Sequence, residues 1–217
     1  MSGLTVAEEL VLVALNGETG AGRMRPGLDW AVAGAVIVEL VLTRRLIVGD
    51  DDFLAVLDST PTGIAHVDAT LATVSGRGGP MKVGKALRRT RSSARDHTIA
   101  TLVERGVLGV ERTRVLGVIP LSRYPEQAVA AGTEVRDRLA GVVLKGLEPD
   151  ERTAALIGIL HAGNHWRKVL SDGSRQRIKR RMADIASGQA VSPAVRKAIV
   201  RTRAAVIAMA AAASNNG

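Results

Sequence analysis

Residues 30–42 read WAVAGAVIVELVL, and this stretch decides the fold class because a helix formed from it is apolar on nearly every side. A helix without a polar face has to be enclosed by other helices, so we predict that it is the central, buried helix. Gly34 lies between two alanines and would let a neighbouring helix approach closely. The single charge, Glu39, is expected to pair with an arginine just beyond the helix end, Arg44 or Arg45.

Segments on both sides of this stretch carry helix signals of their own. Thr5-Val6-Ala7-Glu8 is a capping box, and Asp29 is the expected N-cap of the central helix. The pattern predicts a mainly α-helical chain with a small β-hairpin and no clear domain boundary. Further helical patterns occupy residues 66–74, 81–106, 127–144, 151–165 and 194–213.

Composition sets outer limits on the class of protein. Hydrophobic residues make up 46% of the 217 residues and charged residues 24%, which is typical of a globular chain. The absence of cysteine excludes disulfides and thiolate metal sites. The longest apolar run, residues 31–42, is too short to cross a bilayer, and no signal peptide is visible. We therefore expect a cytoplasmic protein.

Two β-hairpins are expected between the helices. One surrounds the aspartates at residues 50–52. The other has arms at 107–110 and 115–119 with a turn at 111–114. The second arm continues as VLGVIPL and is strongly apolar. It could be part of the core, a contact with a second copy or a contact with a membrane, and the pattern favours the first two. The residues concerned are Val115, Leu116, Val118, Ile119 and Leu121.

The segment 81–108 begins with a dense run of positive charge. Between Lys82 and Arg95 there are six cations in fourteen residues and no acidic residue. At about 100° per residue the cations spread over one half of the helix, and the opposite face is formed by Val83, Leu87, Thr90, Ala94, Thr98 and Thr101. Arg88, Arg91 and Arg95, at i, i+3 and i+7, lie closest together. Guanidinium groups suit bidentate phosphate contacts, so we interpret this face as a site for an anion; a merely solvated face is the alternative.

The net charge of +9 is compatible with several anionic partners. Nucleic acid is the main alternative to lipid, through the basic helix 82–95 and the RQRIKRR run at 175–181. A helix-turn-helix needs a short turn, however, and the basic helix is preceded by the loop SGRGGP at 75–80. A third possibility is a structural, oligomerising protein whose charge reflects a GC-rich genome.

Catalytic and metal-binding motifs are not visible in the sequence. It has no nucleophile elbow, Walker motif or dinucleotide fingerprint. His161 and His165 have the i, i+4 spacing of a zinc pair, but the HExxH glutamate is missing and no third ligand is evident. We expect no catalytic residues, no metal and no cofactor, and therefore a protein that is not an enzyme.

The order of several segments resembles the Golgi phosphoprotein 3 family, and the short form looks like its bacterial, actinomycete-type branch. The resemblance implies one domain over residues 1–217 of mainly α class. In it a central helical bundle is surrounded by amphipathic helices, and a small apolar β-hairpin is exposed. The resemblance also implies a non-enzymatic adaptor that binds phosphatidylinositol 4-phosphate at membranes. The matching segments are LTVAEELVLVALNGETG at 4–20, DWAVAGAVIVELVLTRRL at 29–46, PTG at 61–63, LVERGVL at 102–108, RYP at 123–125 and ALIGILHA at 155–162.

The same resemblance implies a headgroup pocket made by a Trp and an Arg around the second helix and by two basic residues, three apart, on the helix preceding LVERGVL. Carried over by position, the helical pair falls on Ser92, with Arg91 beside it, and on Arg95. The other two positions fall on Ala33 and near Met24. We therefore expect Arg95, Arg91 and Arg88 to hold an anionic headgroup at the inner face of a membrane, and a protein partner or a second copy to bind elsewhere.

Overall fold

The computed structural model describes residues 3–15, 27–76, 79–115, 119–167, 169–170, 173–188 and 191–215. This part of the chain is mainly α-helical with small antiparallel strand pairs, as predicted. Its helices are α1 (Val6–Ala14), α2 (Leu28–Leu42), α3 (Ala65–Ser75), α4 (Val83–Glu104), α5 (Val129–Val143), α6 (Glu151–Gly163), α7 (Arg175–Ala186) and α8 (Pro193–Asn215). Its strands are β1 (Leu46–Val48), β2 (Phe53–Val56), β3 (Met81–Lys82), β4 (Glu111–Val115) and β5 (Ile119–Arg123).

Helix α2 is the central helix, which confirms the first prediction from its sequence. It packs against α1, α3, α4, α6 and α8, and all of its residues are buried except Asp29 and Leu42. The predicted cap at Asp29 is wrong. The helix begins two residues earlier than predicted, at Leu28, after Gly27 at a φ of 86°, and Asp29 accepts a hydrogen bond from Trp30 inside the first turn.

Two glycines let α8 pack closely against α2 and α6. A Cβ added at Gly34 of α2 would lie 2.9 Å from Val206 Cγ2 and 3.0 Å from Thr202 Cγ2. A Cβ at Gly158 of α6 would lie 2.6 Å from Ile199 Cγ2. The predicted close approach at Gly34 is therefore confirmed, and the partner helix is α8.

The predicted pairing of Glu39 with Arg44 or Arg45 is wrong. Glu39 is 3% exposed and accepts two hydrogen bonds from Arg152 of α6, at 2.7 and 2.9 Å, and a third from the backbone N–H of Val6, at 2.8 Å. Helical side chains point back toward the N-terminus of their helix, so Glu39 points away from the two arginines that follow it. Arg45 pairs with Asp58 instead.

The N-terminal turn of α1 is also tied to α3 and to the end of α4. The capping box is confirmed: Thr5 Oγ1 accepts from the N–H of Glu8, whose carboxylate accepts from the N–H of Thr5. Glu8 also pairs with Arg105 at 2.9 Å, and Thr5 Oγ1 lies 3.0 Å from His66 Nε2. These polar groups satisfy one another inside the bundle, as buried polar groups must.

Both expected hairpins are present, one of them in a different register. Strands β1, β2 and β3 form an antiparallel sheet in that order. Strands β4 and β5 pair from Glu111 opposite Arg123 to Val115 opposite Ile119. The turn predicted at 111–114 is therefore wrong, because these residues form β4. Opposite charges at Glu111 and Arg123 face each other across the ribbon, a pairing that favours the observed register. Of the predicted contact residues, Val115, Ile119 and Leu121 belong to the strands, whereas Leu116 and Val118 lie outside the described residues.

Candidate anionic-ligand site

The basic face of α4 points away from the helix bundle. The buried face of α4 packs against α2, α3 and α8, and the cations therefore lie on the outer half of the helix. The predicted division of α4 is confirmed, except that Thr101 is only half-buried. The buried residues are Val83, Ala86, Leu87, Thr90, Ala94, Thr98, Ile99 and Leu102.

Arg91 is held in place by two residues of α2. Its Nη1 donates to Asp29 Oδ2 at 2.9 Å, and its guanidinium carbon lies 4.7 Å from the centre of the Trp30 ring. Both partners belong to the first turn of α2. The ion pair and the cation–π contact together hold the guanidinium in one place, while 42% of the Arg91 side chain remains exposed.

Arg95 lies one turn further along the same side of α4. It pairs with its neighbour Asp96, with Nε donating to Oδ1 at 2.8 Å. The Asp96 side chain is 60% exposed, so the pair is a surface salt bridge that stabilises the fold by well under about 1 kcal/mol. A phosphate group can therefore replace the Asp96 carboxylate as the partner of Arg95.

Arg88 does not share the surroundings of Arg91 and Arg95. It is exposed and lines a cleft of about 690 Å³ between the first turns of α4, strand β2 and the second half of α8. The sequence did not predict this cleft, because its walls come from segments more than a hundred residues apart. Its polar and aromatic lining consists of Asp52, Phe53, Lys82, Lys85, Arg88 and Arg201.

A second cationic surface lies on α7. Its apolar residues Ile178, Met182 and Ile185 are buried, and the helix packs mainly against α6. Arg177 and Arg180 on the opposite side are exposed. The exposed arginines of α7 can therefore serve as a control for those of α4, because they carry the same charge on a different part of the surface.

His161 and His165 do not form part of a metal cluster in the described residues, where no group of three or more histidine, aspartate or glutamate side chains comes together. Neither ring nitrogen of His161 has a hydrogen-bond partner there. Burial, together with the positive charges of Arg203 and Lys179, lowers the pKa of His161 to about 4. The imidazole is therefore neutral in the folded protein at neutral pH.

This lowered pKa predicts a pH-dependent loss of stability. In the unfolded chain His161 takes up a proton near its ordinary pKa of 6.5, whereas in the fold it does so only near 4. The contribution is present above pH 6.5 and is lost as the pH falls toward 4. We expect the stability of the wild type, relative to His161→Gln, to decrease over this range in urea unfolding. A difference that stays constant from neutral pH down to pH 4 would contradict the assignment.

No helix in the described part of the chain combines the length and the apolar character needed to span a bilayer. A protein-family model described as Golgi phosphoprotein 3 (GPP34) matches residues 6–202, which is nearly the whole chain. No curated protein matches the chain significantly in sequence.

Proposed function

The chain belongs to the Golgi phosphoprotein 3 family, and from this membership we propose that it is a non-enzymatic, peripheral membrane adaptor that binds the phosphate of anionic phospholipid headgroups. The binding surface is the outer face of α4, and the protein would bind at the inner, cytoplasmic face of a membrane. The observation that carries the proposal is the position of Arg91, held against Trp30 and Asp29 and still partly open to solvent.

The geometry of Arg91 suits a phosphate group. A guanidinium has five N–H donors in a planar fork, and Asp29 uses only Nη1. The remaining donors have no other partner among the described residues, so Arg91 can bind a phosphate without giving up Asp29. Because the Trp30 ring already restricts the side chain, little rotamer entropy remains to be lost on binding.

Neighbouring charges strengthen the field at Arg91. Arg88 and Arg95 are three residues before and four residues after it, which places the three arginines on one side of α4 along roughly 10 Å of the helix. Near an anionic bilayer each such cation contributes about 1 kcal/mol. Two or three acting together therefore give useful affinity, whereas one alone does not.

The surroundings of α2 favour general phosphate recognition over a pocket specific for phosphatidylinositol 4-phosphate. Ala33 occupies the position that corresponds to the family's arginine on the second helix, and it is fully buried. Trp30 is also buried, so headgroup contacts must come from α4, with Trp30 acting only through the guanidinium of Arg91. Phosphatidylinositol 4-phosphate is included in the proposal as one anionic lipid among others.

The hairpin formed by β4 and β5 is proposed as the second contact, with the membrane or with another copy of the chain. Its strands pair with each other across five residue pairs, and the described residues give it few contacts with the helices. A hairpin that projects from a bundle in this way can reach a surface without disturbing the fold.

The direct test is to replace Arg91 and Arg95 together. We expect Arg91→Ala/Arg95→Ala to lower the affinity for vesicles containing an anionic phospholipid by about 30-fold, since two contributions of about 1 kcal/mol are lost. Co-sedimentation would compare vesicles of phosphatidylcholine alone, of phosphatidylcholine with phosphatidylglycerol, and of phosphatidylcholine with phosphatidylinositol 4-phosphate at equal surface charge.

The matched control is Arg177→Ala/Arg180→Ala, which removes the same charge from α7 and should leave vesicle binding nearly unchanged. Equal losses in both variants, together with equal loss on adding salt, would reduce the interaction to bulk charge. Failure of the wild type to bind any vesicle would overturn the proposal. Tight DNA binding at physiological salt in a gel-shift assay would favour the nucleic-acid alternative.

A further inference from the structure

The cleft beside Arg88 is distinct from the surface that carries Arg91 and Arg95, neither of which lines it. Its volume of about 690 Å³ lies in the range of pockets that hold a small organic molecule. The two long walls of the cleft, α4 and α8, differ sharply in chemistry, and this difference indicates the kind of ligand.

The α4 wall is cationic. Lys82, Lys85 and Arg88 line it and are exposed, and none of them forms an ion pair within the described residues. Lys82 Nζ lies 5.3 Å from the centre of the Phe53 ring, which draws this charge toward the cleft floor. Helix α4 also starts without a side-chain cap and without an acidic residue in its first turn, so the helix dipole adds positive potential at the same place.

The α8 wall is apolar and only partly covered. Its lining consists of alanine side chains from successive turns of α8 and one methionine, and Phe53 also lines the cleft. The cation at the near end of this wall, Arg201, is already neutralised, because it pairs with Asp52 at 3.1 Å and donates to the backbone oxygen of Asp50 at 3.2 Å. The apolar residues are Ala204, Ala205, Ala208 and Met209.

We propose that this cleft binds a single-chain lipid whose anionic headgroup is a phosphate monoester. The phosphate would contact Lys82, Lys85 and Arg88, and the acyl chain would lie along the alanines of α8 and against Phe53. A purely apolar ligand would contact only the α8 wall, and a phosphate without a chain would contact only the cations of α4. An anionic amphiphile gains from both walls. This proposal stands independently of vesicle binding through Arg91 and Arg95.

Three soluble probes separate the contributions of head and tail. Titration calorimetry with the full chain would use oleoyl lysophosphatidate, oleoyl lysophosphatidylcholine and glycerol 3-phosphate, with the two lipids below their critical micelle concentrations. The second probe has the same chain with a zwitterionic head, and the third has the phosphate without the chain. We expect oleoyl lysophosphatidate to bind at least about 10-fold more tightly than either of the others, since only it uses both walls.

Gly84 offers a way to block the cleft without disturbing the fold. It lines the cleft, and a Cβ added there meets no atom within 4 Å. We expect Gly84→Leu to fill the open space and lower lysophosphatidate affinity about 10-fold, whereas Gly84→Ala should keep it, and both should keep or raise helix stability. Lys85→Ala should weaken lysophosphatidate binding and leave lysophosphatidylcholine binding unchanged.

The vesicle assay keeps this proposal separate from the proposed function. Gly84→Leu should still bind anionic vesicles through Arg91 and Arg95, and Arg91→Ala/Arg95→Ala should still bind lysophosphatidate. Equal affinity for lysophosphatidate and either other probe, wild-type lysophosphatidate binding by a folded Gly84→Leu, or no binding of lysophosphatidate at all would each overturn the assignment of the cleft.

Discussion

Replacement of Arg152 by methionine is expected to lower the free energy of unfolding by about 3 kcal/mol, the lower end of the cost of removing one partner of a buried ion pair, because the Arg152 side chain is 35% exposed. The cost arises at Glu39, which is 3% exposed and receives both guanidinium hydrogen bonds from Arg152. Without them a carboxylate remains in the centre of the bundle with only the N–H of Val6 as a described donor. Urea unfolding followed by circular dichroism would measure the change.

Arg45→Met is the matched control, because Arg45 was one of the partners expected from the sequence. In the structure Arg45 pairs with Asp58, whose side chain is 46% exposed, and this pair should contribute less than about 1 kcal/mol. A larger loss in Arg45→Met than in Arg152→Met would show that Glu39 pairs with Arg45 after all. The double variant Glu39→Gln/Arg152→Met should regain part of the stability, since the uncompensated charge is then absent.

Gly34→Val is expected to destabilise the protein by about 3 kcal/mol, at the upper end of typical overpacking costs. The first added carbon already comes within 2.9 Å of Val206 and 3.0 Å of Thr202, and the two methyl groups of valine extend further toward α8. Helices α2 and α8 would have to separate, with loss of packing along both. Thermal unfolding of Gly34→Val and Gly34→Ala should show a graded loss.

The same substitution at Gly84 provides the comparison. Gly84 also lies in a helix, but an added Cβ there meets open space, so Gly84→Val should be neutral or slightly stabilising through its better helix propensity. Equal effects at the two glycines would mean that backbone propensity, and not the contact between α2 and α8, decides the stability at Gly34.

The candidate site was only partly predictable. The 3.6-residue period was enough to separate the buried and basic faces of α4, and hence to bring Arg88, Arg91 and Arg95 to one side. It could not show that Arg91 contacts Asp29 and Trp30, because 62 residues separate Arg91 from Asp29 along the chain. Nor could it show that Arg88 lies across a cleft from α8. A pattern within one helix contains no information about which helix packs beside it.

The register of the hairpin formed by β4 and β5 could not be predicted from the sequence either. The apolar residues after 114 indicated a hairpin, but the described residues of β4 and β5 make few contacts with the helices, so cross-strand pairs such as Glu111 and Arg123 decide the register. Those pairs are visible only once both strands are in place. The turn was therefore predicted inside what is β4.

Helix α2 shows which features follow from the residues of one helix and which depend on tertiary packing. Its burial, and the close approach of another helix at Gly34, follow from the residues of the helix alone, because an apolar surface on every side can be satisfied only by enclosure. The identity of the neighbours did not follow from them. Glu39 pairs with Arg152, 113 residues away, and Gly34 meets α8, because the tertiary packing, and not proximity along the chain, brings these partners together.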